Sequence, residues 1–179
     1  MPDTHHPPKI NFFEARCQES TDAQVFGLTD GLSHHPAHIY LHTPSAWTAT
    51  IENAQRLNVT FTAIDNCIPI FRPNGEMENR CEGMLHYSIL HHAATERHIV
   101  FVELKEAKKS NWLQHGIHQL ETTVQLFANV HPLSEFSTKR AFLCNSKRPH
   151  FNVSHKDAMK AFYLRNQVRL IIEARIVIG

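Results

Sequence analysis

The chain reads as a mixed α/β (α+β) domain, a central mixed β-sheet flanked by helices, and three observations predict it. Ile99, Val100, Phe101, Val102 and Leu104 make an apolar run rich in β-branched and aromatic residues, the composition of a buried strand. Leu113, Ile117, Leu120, Val124 and Phe127 recur at spacings of 4, 3, 4 and 3, which puts them on one face of a helix. Val168, Leu170, Ile172, Ala174, Ile176 and Ile178 alternate with Arg169, Glu173 and Arg175 among the intervening positions, the period of a strand with one buried and one charged face. The segment order is strand-rich, then helix, strand, helix, strand, which points to helices packed on a mixed sheet.

Length and composition agree. The 179 residues suit one domain, taken as residues 11–179, behind a flexible lead-in at 1–10 with three prolines and two histidines. Hydrophobic content of 42% with 20% charged residues is ordinary for a soluble globular protein. No stretch reaches the roughly 18 apolar residues of a membrane helix, and the first residues lack the apolar core of a secretory signal. The expectation is a cytoplasmic protein with no membrane partner. Cys17, Cys67, Cys81 and Cys144 are scattered with no CxxC pair, so they are expected as reduced, mostly buried thiols.

In chain order, Phe12 to Gln18 suggests a short helix, and Thr29-Asp30-Gly31 is a turn signal. His34 and His38 have helical metal-ligand spacing, but Pro36 between them argues against an uninterrupted helix. Trp47, Ala49 and Ile51, then Val59, Phe61 and Ala63, read as two strands joined by a short turn at Asn53 to Arg56. Asp65 keeps the phase of Val59, Phe61 and Ala63, as an inward acid or as a turn cap. Ile68 to Phe71 reads as an edge segment before a turn at Arg72 to Gly75. Cys81 to Leu90 and Ile99 to Lys105 form a hairpin across a polar loop. A turn centred near Ala94 and Thr95 sets Lys105 opposite Met84 and Glu103 opposite His86, to within about two residues. Ser110 is a candidate N-cap for the helix that follows. Gly116 within it implies close approach to another backbone, since glycine costs a helix about 1 kcal/mol relative to alanine. Arg140 to Cys144 is a strand, Asn145 to Pro149 a basic loop, Lys156 to Leu164 a short basic helix, and Gln167 to Ile178 the closing strand.

The candidate site lies at the end of the hairpin. Glu103 and Lys105 are two apart in a strand, so both leave the same face, and charges at the end of an apolar strand are costly unless paired or used. Glu82 lies at the same open end of the partner strand. Two carboxylates and an ammonium suit metal-assisted phosphodiester hydrolysis. A hard cation takes one or two carboxylates with water and phosphate oxygens, and the ammonium orients water or stabilises developing charge. The bland alternatives are a solvated ion pair at a strand end, a loop acid at Glu82 and a polar helix flank at Gln119. A thiol route through Cys81 and His86 lacks the third group that would orient such a pair.

These residues resemble the motif of the PD-(D/E)xK nuclease superfamily: an acid on one strand, (D/E)-x-K on the next, then a helix often carrying Gln. Glu82 takes the first position, Glu103-Leu104-Lys105 the second, and Gln119 lies in the following helix. The resemblance covers mainly residues 80–128. It departs from the pattern in lacking Pro-Asp and in having Glu82 where Asp is usual, so Asp65 competes as first acid. The resemblance implies a restriction-endonuclease-like core and a nuclease using Mg²⁺ or Mn²⁺. Glu82, Glu103 and Asp65 would be its metal ligands, Lys105 its charge-stabilising residue and Gln119 a secondary contact.

The net charge of +1 hides an asymmetry: residues 1–138 carry 9 basic against 15 acidic residues, and residues 139–179 carry 9 against 2. Lys139, Arg140, Lys147, Arg148, Lys156 and Lys160 are therefore the candidate phosphate contacts, with nucleic acid, DNA above all, the expected partner. A second copy of the chain is a further candidate partner. The rival is a non-catalytic nucleic-acid-binding or protein-interaction module on the same fold with a vestigial site.

Overall fold

A computed structural model describes residues 10–30, 34–106, 111–147 and 155–179. Residues 1–9 of the lead-in, Gly31, Ser110, Arg148 and Pro149 lie outside these residues, while Ile10 is described and packs against the core. The strands are β1 (Gln18–Thr21), β2 (Val25–Thr29), β3 (His38–Tyr40), β4 (Ala49–Glu52), β5 (Val59–Ala63), β6 (Gly83–His91), β7 (Ala94–Lys105), β8 (Thr138–Asn145), β9 (Arg169–Ile171) and β10 (Arg175–Val177). The helices are α1 (Trp112–Val130) and α2 (Lys156–Asn166). The fold is mixed α/β, as the segment order predicts, but with two mixed sheets where one was expected. Six strands run β1-β5-β6-β7-β8-β9 and four run β10-β4-β2-β3.

The larger sheet is the middle layer. From β7, Ile99 and Phe101 join Leu120, Val124 and Phe127 of α1 in one core, while Val100, Val102 and Leu104 join Phe26, Ile51 and Ile176 of the smaller sheet in the other. Strand alternation thus feeds two cores, which is why this run is continuously apolar. What approaches Gly116 is a side chain and not the expected backbone: a Cβ there would lie 2.5 Å from Leu143 Cδ1 on β8.

The hairpin is real but its turn sits earlier, with His91 paired to Ala94. Met84 therefore faces Phe101 and His86 faces Ile99. Moving the turn by two residues carries Glu82 to the position across from Glu103.

Several expectations are corrected. Phe12 to Gln18 is not a helix beyond a 3₁₀ turn at Ala15–Cys17; the chain then enters β1. Cys17 is disulfide-bonded to Cys67, so only Cys81 and Cys144 are buried free thiols. The strands β4 and β5 form where expected, across a short link, but belong to different sheets. Between them Asn53, fully buried, donates to the carbonyls of Ala23 and Leu57 and accepts from the Leu57 N–H, fixing a corner that the turn-rich composition disguises. Gln167 to Ile178 is likewise two short strands. Leu170 faces the helical core and Ile176 the inter-sheet core, and an unbroken period-2 pattern carries no mark of a change of sheet.

Candidate functional site

β7 runs parallel to β8 and antiparallel to β6, so its carboxyl end opens beside the start of β6. Glu103 is fully buried there, in phase with Ile99 and Phe101 and hence facing α1. Lys105, one alternation further, ion-pairs with Glu103 Oε1 and donates to Gln119 Oε1 on α1 at 2.8 Å. Gln119 in turn donates to the Arg80 carbonyl at 3.0 Å. The Thr123 hydroxyl donates to the Gln119 carbonyl and accepts from the Cys81 N–H, so α1 grips the segment leading into β6 at two points. That segment delivers Glu82, whose N–H donates to Glu103 Oε2 at 3.2 Å.

Four of the residues predicted from sequence thus come together: Glu82, Glu103, Lys105 and Gln119. Glu82 lies on the same side as Glu103, which makes it the better first acid. Asp65 is near but otherwise engaged. It sits in the turn after β5, accepts from Arg80 Nη2 at 2.9 Å and from Asn66, and acts on the two glutamates as a neighbouring negative charge.

Burial governs the electrostatics. It pushes the Glu82 carboxyl up to about 9, reinforced by the charge of Glu103 and more weakly by those of Asp30 and Asp65. Burial also raises Glu103, to about 7, against the pull of the Lys105 ammonium. Glu82 Oε2 is enclosed with no hydrogen-bond partner among the described residues. An unsatisfied carboxylate oxygen beside a second buried carboxylate is costly and marks a place for a cation or a proton. The donor set is all oxygen and suits a hard divalent ion.

Two participants escape the sequence. Asp30, just past the end of β2 and open to solvent on one side, is raised by desolvation and feels Lys105 and Asp65; in the sequence it is one more turn residue. Arg80, 5% exposed, neutralises Asp65 and presents its carbonyl to Gln119; its place directly before Cys81-Glu82 is the signal that could have found it. The thiol route finds no support, since burial pushes the Cys81 thiol well above the range in which it ionises.

The basic residues of the C-terminal part do not form one surface. Lys139 and Arg140 are neighbours on β8 and so leave opposite faces: Lys139 donates to the Phe136 carbonyl on the helical side, and Arg140 donates to the Tyr87 hydroxyl and the Val177 carbonyl on the inter-sheet side. Lys147 is exposed just past β8, and Lys156 and Lys160 are exposed on α2. No helix among the described residues is long and apolar enough to cross a membrane. No family model, curated protein or solved structure matches the chain.

Proposed function

We propose that this protein is a divalent-metal-dependent nuclease on a restriction-endonuclease-like core. The order β6-β7-α1-β8 supports the reading, with Glu82 entering β6, Glu103 and Lys105 ending β7 and Gln119 on α1. The observation that carries it is the buried Glu82 carboxylate, one oxygen unpartnered, set against the buried Glu103 beside a fixed lysine. Glu82 and Glu103 would hold Mg²⁺ or Mn²⁺, which when bound polarises a phosphoryl oxygen and acidifies a water. Lys105, held between Glu103 and Gln119, keeps a positive charge where the attacked phosphate develops negative charge. Gln119 orients Lys105.

One observation favours the rival, a binding module with a vestigial site: among the described residues no three His, Cys, Asp or Glu side chains gather as a metal-ligating group. Two carboxylates are nevertheless enough for Mg²⁺, which keeps several waters and takes phosphate oxygens from its substrate. The deciding experiment is cleavage of a panel of DNA and RNA substrates with Mg²⁺, Mn²⁺ or EDTA, alongside Mn²⁺ titration by calorimetry. The nuclease reading expects metal-dependent cleavage that falls at least a hundredfold in Glu103→Gln with the far-UV spectrum unchanged. Neither cleavage nor Mn²⁺ binding by the parent would leave the binding module. A cytoplasmic location belongs to the same proposal, and the Cys17–Cys67 disulfide weighs against it, because such bonds are rare in reducing compartments.

A further inference from the structure

The carboxyl ends of the parallel strands β7 and β8 open onto a second feature, on the inter-sheet side. A cavity of about 280 Å³ lies between Trp47, Thr48 and Thr50 at the start of β4, Ser146 just past β8, and Glu173 and Arg175 around the start of β10. It meets the candidate site through the backbone at the end of β7, Glu103 and Lys105 leaving the other face of the sheet. The Ser146 N–H donates to the Lys105 carbonyl at 3.1 Å, and the Thr48 hydroxyl reaches Glu106 Oε1 at 3.4 Å.

Trp47 is held as a plate. Its indole lies directly on Gly27 of β2, where a Cβ would fall 2.0 Å from the ring, and its Nε1–H donates to the His42 carbonyl at 3.0 Å. The Ser146 hydroxyl on the cavity wall is enclosed without a partner among the described residues. A fixed aromatic face and the hydroxyls of Thr48, Thr50 and Ser146 suit a flat heteroaromatic ring with polar edges.

Glu173 and Arg175 also line a second cavity of about 420 Å³, whose other walls include Arg140, Arg169 and Phe142. Arg140 and Arg169 are paired in register on β8 and β9, so their side chains share a face. Neither has an ion pair among the described residues, whereas Arg175 is already bound by Glu52. Like charges directly across a sheet repel, and an anion between them removes the conflict. Glu173 lines both cavities, and its carboxylate would repel a phosphate from the wall they share.

Resting on the nuclease reading, we propose that the groove formed by the two cavities binds single-stranded nucleic acid, one unpaired base stacked on Trp47 and the adjoining phosphate at Arg140 and Arg169. Only an unstacked base can lay its face on an indole inside a cavity, so duplex is excluded from this subsite. The substrate class is a strand with an unpaired stretch beside the bond presented to Lys105.

The test is binding in EDTA, where no cleavage occurs, of a short oligodeoxythymidylate, its abasic counterpart and a duplex of equal length. Tryptophan quenching by the single strand is expected in the parent and absent in Trp47→Phe, which assigns the signal to Trp47. Trp47→Ala and the abasic strand should each weaken binding about five- to hundredfold, and Trp47→Phe should restore most of the loss. Arg169→Ala, at an exposed position, should lower the logarithmic salt slope by about 0.7. Duplex bound as tightly as the single strand, or affinity unmoved by Trp47→Ala, overturns the proposal. So does equal competition by polyglutamate, which would show a surface that reads charge alone. Cleavage is read separately: quenching without metal-dependent cleavage keeps the groove and removes the nuclease, and cleavage with Trp47→Ala unaltered does the reverse.

Discussion

Two glutamate–cation pairs at the ends of two sheets show what burial does to the same chemistry. In the smaller sheet Glu52 on β4 accepts two hydrogen bonds from Arg175 on β10, at 2.7 and 2.6 Å, with both side chains open to solvent. The bonds to Arg175 hold its carboxyl below the usual range. In the larger sheet Glu103 meets Lys105 with no exposure at all, and its carboxyl is raised despite the ammonium. Water screens the first pair and makes it cheap to form and cheap to lose. Around the second, desolvation exceeds what one lysine returns, so the charge is retained at a cost that folding alone does not require. The cross-strand pair at the surface is architecture. The buried one is the pair on which the proposed function rests.

The contrast is broken most directly by removing the cations. In Lys105→Ala a buried carboxylate loses its counter-charge, and the expected loss is about 3–5 kcal/mol by urea denaturation at pH 8. Arg175→Ala should leave the midpoint within error of the parent. The Glu103→Gln/Lys105→Ala double variant should recover much of the loss, because no charge is then stranded. Equal midpoints for Lys105→Ala and Arg175→Ala would show that the site end of β7 is as well solvated as the edge of the small sheet.

The pH dependence of stability carries opposite signs in the two regions. Glu82 and Glu103 hold protons in the folded state above the ordinary value of 4.5, where the unfolded chain has lost them. Their contribution is therefore complete at low pH and declines as pH rises, through about 7 for Glu103 and about 9 for Glu82. Glu52 is depressed, so its contribution is present above its ordinary range and is lost as pH falls through its lowered pKa. Melting temperature should accordingly fall between pH 5 and 9 in the parent and fall less in Glu82→Gln. Mn²⁺ should raise it more at pH 8 than at pH 5, since a ligand carboxylate must be ionised. A parent profile flat across that interval, with and without Mn²⁺, would mean that the acids sit in water.

Much of this site is visible in the sequence because it is local. Glu103 and Lys105 share a face by strand period, and the helix carrying Gln119 follows within a few residues. Glu82 needed only a hairpin, and an error of two residues in its turn was small enough to leave the acid at the right end. The rest depends on long-range pairing. Asp30 reaches the site, and Trp47 its separate cavity, only because β2 and β4 form a second sheet. The alternation at Gln167 to Ile178 runs unbroken across the point where the chain changes sheets. The Cys17–Cys67 bond closes a separation of 50 residues between segments with no shared motif. Periodicity reports which face is buried and is silent about which neighbour buries it.

The smallest expected effect sharpens the comparison furthest, because it separates stability from binding in one substitution. Glu52→Gln removes the acceptor charge that holds Arg175 and leaves its shape. The pair is screened, so the melting temperature should not move measurably. Arg175 lines both cavities of the groove, and in the parent Glu52 spends its charge. Freed, it becomes a third cation beside Arg140 and Arg169, and single-strand affinity in EDTA should rise modestly. The logarithmic salt slope should steepen by about 0.7, the increment for one further phosphate contact on a single strand. On the nuclease reading, the same replacement at Glu103 would alter stability and lower cleavage at least a hundredfold. An unchanged slope in Glu52→Gln would show that phosphate stays on the β8–β9 side of Glu173 and that Arg175 serves only to join β10 to β4.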